Sequence, residues 1–139
     1  MAIVLSDTVQ TFLRAEHFAV LCTLNRDGSP LLTTMWYVME DDGTFVMNSQ
    51  TRLQKVKNIQ RDPRVAVCVY EGSRSASING TVELTTDPAI VRADLERLLN
   101  RYIKDKATRE HYRTTFFSQP RTALRLKGEK LTTFSLEEH

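Results

Sequence analysis

A cluster of positive charge is the feature of this sequence with the clearest chemical use. Residues 51–65 hold five cations in one short segment: Arg52, Lys55, Lys57, Arg61 and Arg64. In a helix, Arg52 and Lys55 lie three residues apart and share a face, and Thr51 is a residue type that caps helix N-termini. Free backbone N–H groups at such a terminus favour an anion. The segment therefore predicts a phosphate-binding helix, and a merely solvated, charged helix is an equally good interpretation.

Other catalytic chemistry has little support in the residue pattern. His17, His111 and His139 show no ligand-like spacing with one another or with carboxylates, so the sequence predicts no metal site. Cys22 and Cys68 belong to no Cys-x-x-Cys pair and are interpreted as small apolar residues in a reducing compartment. The sequence contains no Gly-x-Ser-x-Gly motif, which argues against hydrolysis.

Composition narrows the choice of partners. With 19 basic and 17 acidic residues the net charge is +2, so the basic cluster is a local feature. Aromatic residues that would stack on bases do not flank it, and no nucleic acid is expected. The apolar runs are too short to span a bilayer, and residues 1–5 lack the charged start and long apolar core of a signal peptide. We expect a cytoplasmic protein with no membrane partner.

The elements that must position the cluster are mostly strands. Gly80 predicts a bulge or bend in the fifth predicted strand, residues 77–84. A last hairpin is predicted to turn at Gly128. Alternating and β-branched residues, with turns at Asp-Gly pairs, predict strands over 18–24, 31–39, 44–48, 64–70, 77–84, 122–127 and 130–135.

Helices are expected between these strands. Apolar stripes predict a short helix over 6–15, the basic helix ending at Asp62-Pro63, a long helix opening at Asp87-Pro88 and a helical turn over 109–117. The pattern predicts one domain over residues 1–139, mainly β with peripheral helices. Its strands would form a small closed antiparallel barrel, because closure removes exposed sheet edges.

Three successive motifs resemble one known family. They are Leu24-Asn-Arg-Asp-Gly-Ser-Pro30, Leu32-Thr-Thr-Met-Trp-Tyr37 and Gln54-Lys-Val-Lys-Asn-Ile-Gln-Arg-Asp-Pro-Arg-Val65. Their order and spacing are similar to those of the pyridoxamine 5′-phosphate oxidase-like split-barrel superfamily. The second and third motifs are most similar to the branch that uses the deazaflavin coenzyme F420. The resemblance implies a six- or seven-stranded antiparallel split β-barrel and a homodimer with cofactor sites at its interface.

The resemblance also implies which residues bind the cofactor. Residues 33–36 would run along the flavin-type ring, Lys55 would contact the phosphate with help from Arg52 or Gln54, and residues 75–76 would reach the site from the partner subunit. The residue types leave open that Trp36 is a buried structural residue and that Asn58 only bonds to backbone. The full set of implied positions is Thr33, Thr34, Met35, Trp36, Asn48, Ser49, Arg52, Gln54, Lys55, Asn58, Ser75 and Ala76.

The implied activity is hydride transfer between the cofactor and a small organic substrate. The cofactor carries the reactive carbon, while the protein binds it, orients it and excludes water. Tyr37 or a water molecule would supply the accompanying proton. Two alternatives stay open: FMN in an oxidoreductase of the pyridoxamine phosphate oxidase type, and a carrier that binds FMN or F420 without turnover. Leu32, Tyr37 and Gln54 stand where the pyridoxamine phosphate oxidases have basic residues. The sequence also lacks their extended C-terminal substrate-binding region, which argues against pyridoxine phosphate as the substrate.

Overall fold

The computed structural model describes residues 3–136, which form seven strands and four helices. His139, considered above as a metal ligand, lies outside these residues. The strands are β1 (Ala19–Leu24), β2 (Pro30–Met35), β3 (Val38–Met39), β4 (Phe45–Gln50), β5 (Arg64–Glu71), β6 (Arg74–Thr85) and β7 (Arg121–Phe134). The helices are α1 (Asp7–Arg14), α2 (Gln54–Arg61), α3 (Pro88–Tyr102) and α4 (Lys106–Phe117). No helix within residues 3–136 combines the length and the apolar character needed to cross a bilayer.

All seven strands belong to one antiparallel sheet, in the order β2-β1-β5-β6-β7-β4-β3. The strands at the two ends of this order are neighbours in sequence, since β2 ends at Met35 and β3 begins at Val38. Only Trp36 and Tyr37 join them, and such a link spans at most about 11 Å. The sheet must therefore curl until its edges approach each other. This curled sheet with peripheral helices confirms the predicted split-barrel fold.

Two predicted boundaries are wrong. The strand predicted over 31–39 is two strands, because the chain crosses from one sheet edge to the other at Trp36 and Tyr37. The final hairpin is one continuous strand, β7, which pairs with β6 along most of its length. The bulge predicted at Gly80 is confirmed: Asn79 pairs with Lys130 but Gly80 pairs with Gly128, so β7 carries one extra residue. The glycine at 128 therefore marks an irregularity in a strand and not a turn.

Two apolar clusters hold these elements together. The larger cluster fills the barrel and includes Val9, Phe12 and Leu13 of α1. The smaller cluster lies under α3 and α4, where Leu95, Leu98 and Leu99 pack with partly buried aromatic residues that include Trp36 and Phe116. The helices α3 and α4 therefore cover the part of the sheet where β2 passes into β3.

A buried ion pair fixes α3 on the sheet. The carboxylate of Asp94, 1% exposed, accepts hydrogen bonds from Arg125 of β7 at 2.7 and 3.3 Å. Glu40 adds a second carboxylate, 3.5 Å from Arg125 and 3.2 Å from Arg97. Loss of Arg125 would be costly, because the buried Asp94 carboxylate would keep only the longer 3.9 Å contact with Arg97. The position of α3, which forms one wall of the cavity described next, is thereby fixed.

Candidate functional site

The second and third sequence motifs meet around one cavity of about 250 Å³. It lies between the end of β2, β4, the start of α2, and the helices α3 and α4. Six predicted cofactor positions are part of its wall, and six further residues complete it.

 The complete lining consists of Thr34, Met35, Trp36, Asn48, Ser49, Gln50, Leu53, Lys55, Leu95, Leu98, Phe116 and Arg121.

Two half-buried cations in this wall have no counterion among residues 3–136. Within residues 3–136, neither Lys55 nor Arg121 forms an ion pair with a carboxylate. The Lys55 Nζ atom lies 3.2 Å from Met35 Sδ, a weak acceptor, and Arg121 Nε donates to Asn48 Oδ1 at 2.7 Å. Burial, and then the nearby charge of Arg121, lowers the pKa of Lys55, while burial lowers the pKa of Arg121. An anion between the two cations would relieve both effects.

The N-terminus of α2 borders the same cavity through Leu53 and Lys55. Leu53 is its N-cap, and no side chain in the described part of the chain caps it. The expectation that Thr51 caps this helix is wrong, because the Thr51 hydroxyl lies 2.8 Å from the Thr122 hydroxyl and shares a hydrogen bond with it. The first N–H groups of α2 thus lack a side-chain acceptor. They add to the attraction that Lys55 and Arg121 exert on an anion.

Gln50 contributes a polar atom that nothing in the described chain satisfies. Its Oε1 atom is buried and has no hydrogen-bond partner there, although the residue lines the cavity. A buried acceptor without a partner costs stability unless a ligand or water donates to it. Gln50 therefore offers a hydrogen-bond acceptor to a molecule in the cavity.

Trp36 forms the aromatic part of the wall. Its ring stacks on Tyr102 at 5.0 Å with an interplanar angle of 12°, and meets Phe116 edge-on at 5.8 Å. Trp36 is therefore part of the smaller apolar cluster and also part of the cavity wall. Together with Met35, it gives the cavity a flat apolar surface near two cations. This combination suits a ligand that has both a planar ring and an anionic group.

Six predicted positions do not line the cavity: Thr33, Arg52, Gln54, Asn58, Ser75 and Ala76. Asn58 is fully buried and donates to Thr23 Oγ1 at 3.1 Å and to Asn25 Oδ1 at 2.9 Å. These two hydrogen bonds hold α2 against the end of β1. Asn58 therefore has a structural role, and its partners are side chains. Arg52 is exposed. Ser75 and Ala76 lie at the start of β6, and their contact from a partner subunit stays a prediction.

Tyr37 is not placed to donate a proton to a ligand in the cavity. Its side chain is fully buried in the barrel, and its hydroxyl donates to the Leu13 carbonyl oxygen at 2.6 Å. Burial raises the pKa of this phenol. The packing explains the correction: although Trp36 and Tyr37 are adjacent, Trp36 packs in the smaller apolar cluster and Tyr37 in the larger one. The side that holds Trp36 borders the cavity, and Tyr37 belongs to the core.

The sequence interpretation missed six residues of the wall: Gln50, Leu53, Leu95, Leu98, Phe116 and Arg121. Arg121 lies 73 residues from Asn48, to which it donates, and opposite Gln50 in the pairing of β4 with β7. No local spacing connects residues so far apart. The only sequence signal for Arg121 was its place at the start of the last strand.

The comparisons with known proteins agree with this architecture. Residues 5–134 match the family model described as pyridoxamine 5′-phosphate oxidase. The chain therefore belongs to the pyridoxamine 5′-phosphate oxidase family, a class of split-barrel domains that bind flavin-type cofactors. No curated protein matches the chain closely enough to count as a relative.

Solved structures share the fold at low sequence identity. A conserved hypothetical protein from Mycobacterium tuberculosis is 24% identical, with a TM-score of 0.75, over 96% of this chain and 86% of its own. A protein named F420 reductase is 23% identical, with a TM-score of 0.69, over 88% of this chain and 94% of its own. General stress protein 26 from Bacillus anthracis is 16% identical, with a TM-score of 0.66, over 94% of each chain. These likenesses establish the fold alone.

Proposed function

We propose that the chain is an oxidoreductase that binds coenzyme F420 in this cavity and transfers a hydride between the cofactor and a small organic substrate. The observation that carries the proposal is the pair of half-buried cations, Lys55 and Arg121, which have no counterion within residues 3–136. They lie beside the start of α2, which no described side chain caps. Such an arrangement suits a phosphate group, which accepts several charge-assisted hydrogen bonds.

Different residues of the wall bind different parts of the cofactor. The Lys55 ammonium and the Arg121 guanidinium hold the phosphate, and Asn48 orients Arg121 through its 2.7 Å hydrogen bond. Met35 and Trp36 lie along the ring, and the free Oε1 atom of Gln50 accepts a hydrogen bond from the cofactor. The residues present therefore fit a cofactor that has a planar ring and a phosphate.

The chemistry divides between the cofactor and the chain. Bound F420 supplies the carbon that gives or takes the hydride. Leu95, Leu98 and Phe116 make the neighbouring part of the wall apolar and exclude water from the ring. Since Tyr37 donates to Leu13 within the core, a water molecule is left as the source of the accompanying proton.

Three observations favour F420 over FMN. The sequence motifs resemble those of the F420 branch, and one structural neighbour is named an F420 reductase. Arg121 also lines a second groove, of about 390 Å³, that reaches Arg92. The phosphate of F420 carries a polyglutamate tail, and Arg92 and Arg121 would attract its carboxylates. FMN ends at its phosphate and would leave that groove unused.

The cofactor preference is tested by titrating F420 and FMN into the protein at one matched ionic strength, because salt screens both phosphates. We expect F420 to bind more tightly than FMN. Equal or tighter binding of FMN would overturn the choice of cofactor while leaving the family assignment in place. Failure of both cofactors to bind would overturn the proposed function.

We also propose that two copies of the chain form the functional unit. Leu32 of β2, Tyr70 of β5 and Phe134 of β7 are 63%, 60% and 65% exposed, respectively, and their strands belong to one sheet. Exposed apolar residues on one sheet mark an interaction surface. The single-chain cavity of about 250 Å³ is also below the usual size of a site for a ligand as large as a flavin. A partner chain would cover this surface and enlarge the site.

Light scattering after size-exclusion chromatography tests the dimer. We expect about twice the chain mass of 16.0 kDa, and we expect Leu32→Arg to shift the mass toward one chain and to weaken cofactor binding. Val4→Arg is the matched control, since Val4 is 93% exposed but belongs to no strand. A wild-type monomer that binds cofactor normally would contradict the shared-site model.

A further inference from the structure

The helix α4 differs from the other helices in how it is attached. None of its twelve residues is buried, whereas α3 buries five of its fifteen. Its aromatic residues are only half-buried or exposed, although Phe116 forms part of the cavity wall. A segment with few buried apolar contacts is the kind that opens locally at low free-energy cost.

An ion pair between helices holds α4 against α3. The Arg113 Nε and Nη2 atoms donate to the two carboxylate oxygens of Glu96 at 2.5 and 2.8 Å. This two-point geometry is the strongest that an arginine and a carboxylate form. Both side chains are about one-quarter exposed, so water screens the pair only partly. Arg113 also pairs with Glu110, but that residue belongs to α4 itself and does not attach the helix to anything else.

The ligand-binding cation is connected to the same helix. The Arg121 guanidinium lies 4.9 Å from the centre of the Phe116 ring, a distance at which a cation and a ring attract each other. Residues 103–105 and 118–120 flank α4 without regular helix or strand structure. The helix is therefore bounded by two short linkers and touches the cavity through one face.

We infer that α4 is a hinged cover of the cavity, that the Arg113–Glu96 ion pair holds it closed, and that its opening admits the cofactor. The entry of the cofactor rests on the proposed function. The cover, and the Arg113–Glu96 ion pair that acts as its latch, do not. Within one chain, the cavity of about 250 Å³ has little room for a ring and a phosphate together while α4 is in place, so one wall must move to admit both. Of the walls, α3 is fixed by Asp94 and Arg125, while α4 has no buried residue.

The chain carries its own reporter for this motion. Trp36 is its single tryptophan, and Phe116 and Tyr112 of α4 lie 5.8 and 6.3 Å from its ring. Opening of α4 would expose Trp36 on that side, while Tyr102 would continue to cover the other side. Quenching of Trp36 fluorescence by acrylamide therefore measures how often the cover is open.

The test compares Glu96→Gln with the matched control Glu110→Gln in the protein without cofactor. Glu96→Gln should raise amide hydrogen exchange within residues 106–117 by about three- to tenfold and should increase Trp36 quenching. Glu110→Gln removes the same charge beside the same arginine but leaves the Glu96 contact, so both readouts should stay within about twofold of the wild type. Equal effects of the two substitutions would overturn the latch. Faster exchange that also spread through β4 and β7 would indicate general destabilisation and would overturn it as well.

Binding kinetics test the link to the cofactor. With F420 in stopped-flow mixing, Glu96→Gln should speed association by about three- to tenfold, the factor by which it increases opening of α4, because opening precedes entry of the cofactor. Unchanged rates alongside faster exchange in α4 would overturn its role as the entry gate. If neither F420 nor FMN binds, the proposed function fails, and the exchange and quenching results still decide whether α4 is a cover.

Discussion

Replacing Lys55 with alanine is expected to weaken binding of the phosphate-bearing cofactor by about ten- to a hundredfold. This is the usual worth of a hydrogen bond to a charged group, about 1.5–3 kcal/mol. The effect should be large because Lys55 is half-buried and has only the Met35 sulfur as a hydrogen-bond acceptor in the described chain. Fluorescence or calorimetric titration of the variant against the wild type gives the ratio directly.

Lys57→Ala is the matched control for this experiment. Lys57 lies on the same helix, carries the same charge and is exposed outside the cavity. If Lys55→Ala and Lys57→Ala weakened binding equally, the effect would be diffuse attraction by the basic helix and Lys55 would not be a specific ligand.

The pH dependence of Lys55 gives the same site a second signature. Burial and the charge of Arg121 lower the pKa of Lys55 from its ordinary value of 10.5 in the folded, cofactor-free chain. The unfolded chain then holds this proton more tightly, so the contribution of Lys55 to the free energy of unfolding becomes more favourable as pH rises toward 10.5. Cofactor binding has the opposite dependence, because only the charged ammonium attracts the phosphate. Affinity should therefore fall at high pH, and Lys55→Ala should reduce that fall.

Replacing Gly80 with alanine is expected to destabilise the fold by about 3 kcal/mol or more. A Cβ atom at this position would lie 2.0 Å from the Lys127 carbonyl oxygen and 2.9 Å from its carbon. These are backbone atoms of the paired strand, so no flexible side chain can move away. Urea denaturation of the two proteins measures the difference in the free energy of unfolding.

Gly72→Ala is the control for the substitution at Gly80. Gly72 has a φ of +59°, but no atom lies within 4 Å of a Cβ built there. Its alanine variant should lose about 1–2 kcal/mol, the cost of the left-handed backbone conformation alone. A loss at Gly80 no greater than the loss at Gly72 would contradict the close approach of β6 and β7 at the bulge.

The sequence predicted the barrel well because the fold is encoded in local patterns. Alternating residues define most strands, and an Asp-Pro pair opens α3 where it was expected, with Asp87 as the cap. The errors occur where a local pattern has two structural solutions. An extended run through Trp36 and Tyr37 fits one strand or two, and only the pairing of β2 with β1 and of β3 with β4, at opposite ends of the sheet, decides between them. A glycine at 128 fits a turn or a bulge, and only the pairing with Gly80 decides.

The candidate site was predicted in part for a similar reason. Thr34, Met35 and Trp36 are consecutive, so one motif brought all three to the cavity wall. The residue that helps Lys55 at the phosphate was predicted to be Arg52 or Gln54, its neighbours in sequence, whereas the second cation of the cavity wall is Arg121. Pairing of β4 with β7 creates that proximity, and no spacing within a single helix or strand can reveal it.

The most direct measurement of the central claim is a crystal structure of the protein with F420 bound. We expect phosphate oxygens within about 2.7–2.9 Å of Lys55 Nζ and of the Arg121 guanidinium nitrogens, with the ring against Met35 and Trp36. A phosphate bound at the exposed Arg52, or a ring placed away from Trp36, would contradict the account.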